Sequence, residues 1–118
     1  MLRNYKELKV WQKTYHLSLE IYKATANFPA EEKFGLTSQI RRASISIPSN
    51  IAEGYGRNTT NKYIRFLNIS YGSICELETQ ILISGDLGYI KNTKLNKLTD
   101  KILEVERMLK ALINSLPG

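Results

Sequence analysis

The chain has 118 residues, 42% hydrophobic and 24% charged, which is typical of one ordinary globular domain. Lysine and arginine outnumber aspartate and glutamate by 17 to 11, and the resulting net charge of +6 favours polyanionic partners. The single cysteine (Cys75) and single histidine (His16) exclude an intramolecular disulfide, a multi-cysteine zinc site and a histidine-pair metal site. No apolar run approaches the roughly 20 residues of a membrane span, and the charged N-terminal sequence lacks the apolar core of a signal peptide. We therefore expect a cytoplasmic protein without cofactor or membrane contact.

Turn residues divide the chain into four segments, each with apolar residues at helical spacing. Pro29 stops the first segment, because proline cannot continue a helix, and Gly54 and Gly56 close the second. Thr59 is a good N-cap for the third, and Pro117 stops the fourth. The predicted helices cover about residues 5–26, 37–55, 59–85 and 93–116.

The second segment is ambiguous, because residues 43–47 alternate between apolar and polar as a strand does. A helix would place Ile40, Ile47 and Ile51 on one stripe, whereas a lone strand would find no partner elsewhere in the sequence. We therefore predict a helix, bent at Pro48, which removes one backbone hydrogen bond.

The fold class follows from four helices of similar length joined by short connections. Short connections favour antiparallel neighbours. No linker, internal repeat or low-complexity tract interrupts the chain. The sequence therefore predicts an all-α protein, a single domain over residues 1–118, arranged as an up-down-up-down four-helix bundle.

The first helix carries two apolar rows on opposite sides. We assign one row to the bundle core, because its spacing is regular: Leu8, Trp11, Tyr15, Leu19 and Tyr22. The other row is explained either by a helix set deeply in the bundle or by contact with another copy of the chain, since contiguous exposed apolar area is rare on monomers. The second explanation predicts an oligomer interface at Val10, Leu17 and Ile21, with Ala24 beside them.

Positive charge is concentrated in one half of the predicted bundle. That half would combine the start of the first helix, the turn between the second and third, and the end of the fourth, and it carries the whole net charge of +6 when Arg3 is included. Such a surface suits phosphate contacts, although a solvated face that keeps the protein soluble explains it equally well. The candidate nucleic-acid-binding residues are Lys6, Lys9, Lys13, Arg57, Lys62 and Arg65.

Catalytic signatures are absent from the sequence, and we expect no enzymatic activity. The glycines at 54 and 56 imitate a dinucleotide-binding loop but lack the third glycine and a preceding strand. Glu53, Glu76 and Glu78 would suit a metal-dependent nuclease only if the fold brought them together. The simpler interpretation pairs Glu53 and Glu76 each with an arginine, Arg41 or Arg42, inside the bundle, where ion pairs fix helix register. We expect His16 on the surface or in an interface, and Cys75 as a buried or half-buried small residue.

Several short stretches carry a recognisable pattern: LKVWQ (8–12), FP (28–29) with Glu32 and FGL (34–36), SQIRRA (38–43), SIPSNIAEG (46–54), GSICEL (72–77) and LGYI (87–90). Together they resemble the 23S rRNA intervening-sequence protein family, a group of small bacterial four-helix bundle proteins. The resemblance covers about residues 5–115 and is strongest between residues 28 and 54.

The resemblance implies a ring-like homopentamer without enzymatic activity. The related accessory protein of diversity-generating retroelements has a similar fold and a basic surface, and it binds nucleic acid and a reverse transcriptase. The resemblance also implies that Arg41, Arg42, Asn50 and Glu53 are polar residues that fix the bundle. We therefore expect a homo-oligomer that binds RNA or DNA through its backbone, with RNA favoured, as an accessory to a ribonucleoprotein or a reverse transcriptase. The alternative is a protein–protein scaffold that binds no nucleic acid.

Overall fold

The computed structural model describes residues 4–117, and that part of the chain is helical, without strands. Its four α-helices are α1 (Lys9–Thr25), α2 (Leu36–Tyr55), α3 (Thr60–Asp86) and α4 (Asn92–Ser115). The prediction of an all-α protein with four helices is confirmed. The first helix begins later than predicted, because Tyr5–Glu7 form a separate 3-10 turn capped by Asn4. None of the helices between residues 4 and 117 is long and apolar enough to cross a membrane.

One hydrophobic core joins the four helices. Each helix contributes aliphatic side chains that are almost completely removed from solvent, and such burial is the main favourable term in folding. Phe28 and Ile90, which lie between helices, also belong to this core, and the Phe28 ring packs 5.3 Å from the ring of Tyr89. The largest fully buried side chains are Leu17, Ile21, Ile40, Ile47, Ile51, Leu67, Ile74, Leu77, Ile81, Leu98, Ile102 and Leu109.

Contacts between neighbouring helices follow one order: residue numbers rise on one helix as they fall on the other. The pairs are Ser18–Ser44 and Thr25–Arg41 for α1 with α2, Ser46–Ser73 and Gly54–Phe66 for α2 with α3, Gly85–Leu95 and Tyr71–Lys110 for α3 with α4, and Lys13–Glu104 and Glu20–Lys101 for α1 with α4.

Helix α2 contains Pro48 in its interior, and a hydroxyl group of α1 replaces the hydrogen bond that the proline removes. Proline has no N–H, so the carbonyl of Ser44, four residues earlier, loses its helical donor. The Ser18 hydroxyl of α1 donates to this carbonyl at 2.8 Å. On the other side, the buried Ser70 hydroxyl of α3 donates to the Ile47 carbonyl at 2.9 Å. These bonds hold α2 between α1 and α3.

The two apolar rows of α1 face the opposite way from our prediction: the row that we assigned to an oligomer interface is buried, and much of the row that we assigned to the core is exposed. Val10, Leu17 and Ile21 are 4%, 2% and 0% exposed and lie in the core, so their assignment to an oligomer interface is wrong. Tyr15 and Leu19, predicted as core, are 45% and 48% exposed.

Two threonines explain this difference. Thr14 and Thr25 share the buried face of α1 and interrupt its apolar pattern. Each hydroxyl donates to a carbonyl of its own helix, Thr14 to Trp11 at 2.9 Å and Thr25 to Ile21 at 2.8 Å. A threonine whose hydroxyl is satisfied in this way can be buried without leaving an unpaired polar group.

Candidate functional site

The basic residues of the first segment lie along one side of α1 and the turn before it. Lys6, Lys9 and Lys13 are exposed. Lys9 and Lys13 line a groove of about 450 Å³ between α1 and α4, which His16 also lines. The Lys6 carbonyl accepts a hydrogen bond of 2.8 Å from Gln12 Nε2, another residue of this groove. The Lys6 backbone therefore lies beside the groove that Lys9 and Lys13 line, and Glu20 and Glu104 line the same groove.

A second basic group surrounds the start of α3, where Thr59 caps the helix by accepting from the Lys62 N–H. Arg57, Lys62 and Arg65 are exposed and line a shallow depression of about 390 Å³ with Phe66 and Ile69. The Arg57 guanidinium lies 4.8 Å from the centre of the Phe66 ring. The depression thus combines cationic groups with apolar surface.

Two of the six candidate residues already contact a carboxylate. Lys13 Nζ lies 3.5 Å from Glu104 Oε1, and Arg57 Nη2 lies 2.8 Å from Glu53 Oε1. Both pairs are solvent-exposed, so each contributes little to stability and a phosphate can compete for the cation. Arg3, which was counted in the basic half, lies outside the described residues.

The polar residues carried over from the family resemblance occupy different environments. Arg41 Nε donates to Thr25 Oγ1 at 2.9 Å, and its guanidinium lies 4.5 Å from the Tyr22 ring centre, so Arg41 links α2 to α1. Asn50 Nδ2 donates to the Ser46 carbonyl at 2.8 Å, within its own helix.

The carboxylates predicted to pair with Arg41 or Arg42 inside the bundle do not do so. Glu53 pairs with Arg57 on the surface, one helical turn away, and Glu76 and Arg42 are exposed. The prediction of internal pairs is wrong, because an i to i+4 partner on the surface avoids the desolvation cost of a buried ion pair. His16 is exposed and Cys75 is half-buried, as predicted.

An aromatic groove between α1 and α2 is the feature that sequence reasoning missed. It measures about 460 Å³, and Trp11, Tyr15, Tyr22, Ile45 and Pro48 are among its lining residues. The rings of Trp11 and Tyr15 stack with their centres 5.1 Å apart. Each described residue that lines this groove is uncharged. The regular row on α1 was the available signal, but we assigned that row to the core.

The chain is similar to one protein family and to a protein of known structure. The family model described as 23S rRNA-intervening sequence protein matches residues 6–111, so the chain belongs to that family. A crystal structure of a protein of unknown function from the S23 ribosomal protein family of Bacteroides thetaiotaomicron VPI-5482 is similar, with a TM-score of 0.80 and 24% sequence identity. The match covers 88% of this chain and 97% of that one; at this identity it shows a shared fold alone. No curated protein matches the chain.

Proposed function

We propose that this protein is a non-enzymatic homo-oligomer that binds the nucleic-acid backbone through a basic surface, as an accessory to a ribonucleoprotein or a reverse transcriptase. The observation that carries the proposal is the exposure of all six candidate residues on a chain with a net charge of +6. The six are Lys6, Lys9, Lys13, Arg57, Lys62 and Arg65. Membership of a family named for an intervening sequence of 23S rRNA supports RNA as the ligand.

The order of the helix contacts supports a common location for the two basic groups. We infer that the helices alternate in direction in an up-down-up-down bundle, with α2 bent at Pro48. Tyr5 and Ala52 line the same groove, so the start of the chain lies near the end of α2. The start of α3 follows the end of α2 after a short turn, so it lies near the same place. In this arrangement both basic groups belong to one end of the bundle.

Binding of this kind recognises phosphates rather than base edges. Lysine and arginine contacts to phosphate release counterions and carry little sequence information. The exposed side chains lie on helix surfaces, along the open groove between α1 and α4 and in a shallow depression, where a phosphate backbone can contact them. We therefore propose low sequence specificity.

The aromatic groove supports self-association. Large apolar surfaces without charge mark interaction sites, and aromatic side chains are enriched in the cores of interfaces. We propose that a second copy of the chain covers this groove, so that the groove serves as the oligomer interface instead of the buried row Val10, Leu17 and Ile21. The favoured assembly is the pentamer that the family resemblance implies. A closed ring would present several basic ends together and strengthen the field that attracts a polyanion.

Charge reversal at the basic end tests the proposal. We expect the triple variants Lys6→Glu/Lys9→Glu/Lys13→Glu and Arg57→Glu/Lys62→Glu/Arg65→Glu each to lose at least tenfold in RNA affinity, measured by fluorescence anisotropy. The control, Lys91→Glu/Lys94→Glu/Lys97→Glu, makes the same charge change at the N-cap and first turns of α4, at the predicted neutral end, and should bind almost as the wild type does.

Assembly is measured on the same samples. Circular dichroism should show unchanged helicity, and light scattering should give a multiple of 13.5 kDa for all four proteins. Equal losses in the control and the two test variants would contradict the basic-end assignment. A wild-type mass near 13.5 kDa would contradict the homo-oligomer.

The alternative function is a protein–protein scaffold, and the uncharged lining of the aromatic groove favours it. A scaffold would show no RNA binding at low salt but would retain a protein partner in a pull-down. Substitution of Tyr15 by glutamate would release that partner, because the charge would enter an apolar contact.

A further inference from the structure

Two shallow depressions adjoin each other on α3. Basic and apolar side chains line the one described above: Arg57, Lys62, Arg65, Phe66 and Ile69. The second measures about 550 Å³, and its lining combines amide, apolar and basic side chains: Asn61, Ile64, Arg65, Asn68 and Ile69. Arg65 and Ile69 line both depressions, so the two belong to one surface at the start of α3.

The chemistry of this surface differs from that of the groove between α1 and α4. Each described residue that lines the two depressions is basic, apolar or an amide, whereas Glu20 and Glu104 line the groove beside its lysines. Ile69, which both depressions share, is 43% exposed. Exposed apolar surface gains by contact with apolar groups and not with phosphate, so this surface fits a ligand that has an apolar part as well as a charged one.

Two neighbours hold the Arg57 guanidinium in place. It lies 4.8 Å from the centre of the Phe66 ring, and its Nη2 donates to Glu53 Oε1 at 2.8 Å. The Arg57 side chain is still 42% exposed. An exposed guanidinium plane is a surface on which an unpaired base can stack. Its five N–H donors also allow a phosphate contact in addition to the bond with Glu53.

Only a nucleic acid with unpaired bases can use such a surface. In a duplex the bases are paired and stacked inside the helix, and a protein meets mainly phosphates and sugars. In a single strand the faces of the bases are accessible. Proteins bind single strands by combining cations along the backbone with flat side chains on which the bases stack. The start of α3 combines the same two features.

We propose that the start of α3 selects single-stranded nucleic acid. One unpaired base stacks on the Arg57 guanidinium and contacts Ile69, while Lys62 and Arg65 contact the neighbouring phosphates. This inference rests on the proposed function and adds the class of nucleic acid that the basic surface binds. Stacking depends little on the identity of the base, so it agrees with low sequence specificity.

Comparison of a single strand with a duplex tests the proposal. The probes are a fluorescently labelled single-stranded RNA without self-complementary stretches and the duplex of that RNA with its complement, both measured by fluorescence anisotropy at the same salt concentration. Charge alone favours the duplex, because each phosphate contact there releases more counterion, about 0.9 against about 0.7 ions. We expect the single strand to bind more tightly, by about fivefold or more, which is the lower end of what one stacked base contributes.

The variant Arg57→Lys separates stacking from charge, because lysine keeps the positive charge but has no flat guanidinium. We expect this variant to lose the preference for the single strand, while its affinity for the duplex and its salt slope stay close to the wild-type values. The control, Arg42→Lys, makes the same change at an exposed arginine of α2, which lines neither depression, and should keep the preference.

Two results would overturn this inference alone. One is equal or tighter binding of the duplex by the wild-type protein, and the other is an unchanged preference in Arg57→Lys. In both cases RNA binding itself would persist, so the proposed function would stand. The proposed function fails in a different way, when neither probe changes its anisotropy at low salt, and that result would overturn this inference as well.

Discussion

Ser18 replaces the hydrogen bond that Pro48 withdraws from helix α2. Its hydroxyl reaches the Ser44 carbonyl at 2.8 Å from a different helix. Substitution of Ser18 by alanine would leave this carbonyl without its donor in a partly buried position. We expect the free energy of unfolding to fall by about 1 to 2 kcal/mol, measured by urea denaturation.

A double-mutant cycle separates this bond from other effects of the serine. In a Pro48→Ala background, residue 48 regains an N–H that can donate to the Ser44 carbonyl, so Ser18→Ala should cost less there than in the wild type. Ser49→Ala, on the exposed side of α2, should change stability little. Equal costs in the two backgrounds would show that Ser18 acts in some other way.

Individual residues also explain where prediction from the sequence failed. Thr14 and Thr25 have polar side chains, and only their bonds to their own helix permit burial. The pairing of Lys13 with Glu104 depends on the packing of α1 against α4, which spacing within one helix does not determine.

At the scale of elements, Gly54 permits the close approach of α2 and α3. A Cβ atom at this position would lie 2.6 Å from Phe66 Cβ and 3.3 Å from the Tyr63 carbonyl oxygen. Phe66 Cβ is attached directly to the backbone of α3, so it cannot move aside without a shift of a helix. We expect Gly54→Ala to lower the free energy of unfolding by about 1 to 3 kcal/mol.

Gly72 provides the matched comparison on α3. A Cβ atom there would meet nothing within 4 Å. Gly72→Ala should therefore raise the free energy of unfolding by about 0.4 to 1 kcal/mol, since alanine loses less backbone freedom on folding. Thermal or urea denaturation would measure the free energy of unfolding of both glycine variants. Destabilisation by Gly72→Ala would indicate that this exposed position contacts another copy of the chain.

The helices themselves were predictable, because their signals are local. Pro29, Gly56 and Thr59 mark helix ends, and apolar spacing marks the interiors of the helices. The helical assignment of α2 across Pro48 needed one non-local argument, that a strand would have no partner. The buried face of α1 was predicted wrongly, because two apolar rows on this helix both have helical spacing. Packing against the neighbouring helices determines which row is buried.

For the whole molecule, the two basic groups and the aromatic groove occupy different surfaces. The exposed lysines and arginines of the basic groups lie on α1 beside α4 and at the start of α3, whereas the aromatic groove lies between α1 and α2. The separation allows one surface to bind a polyanion while the other associates with a protein. The exposure of the basic residues was predictable from the sequence, because charged side chains are seldom buried. The aromatic groove was not predictable, because its existence depends on which face of α1 packs against the core.

The salt dependence of RNA binding by the wild-type protein tests the central claim most directly. If the six basic side chains neutralise six phosphates of a single strand, a plot of log affinity against log salt should have a slope of about −4. Affinity should then fall about 300-fold between 50 and 200 mM salt. A slope near zero, or no change in anisotropy at 50 mM salt, would contradict binding through this surface.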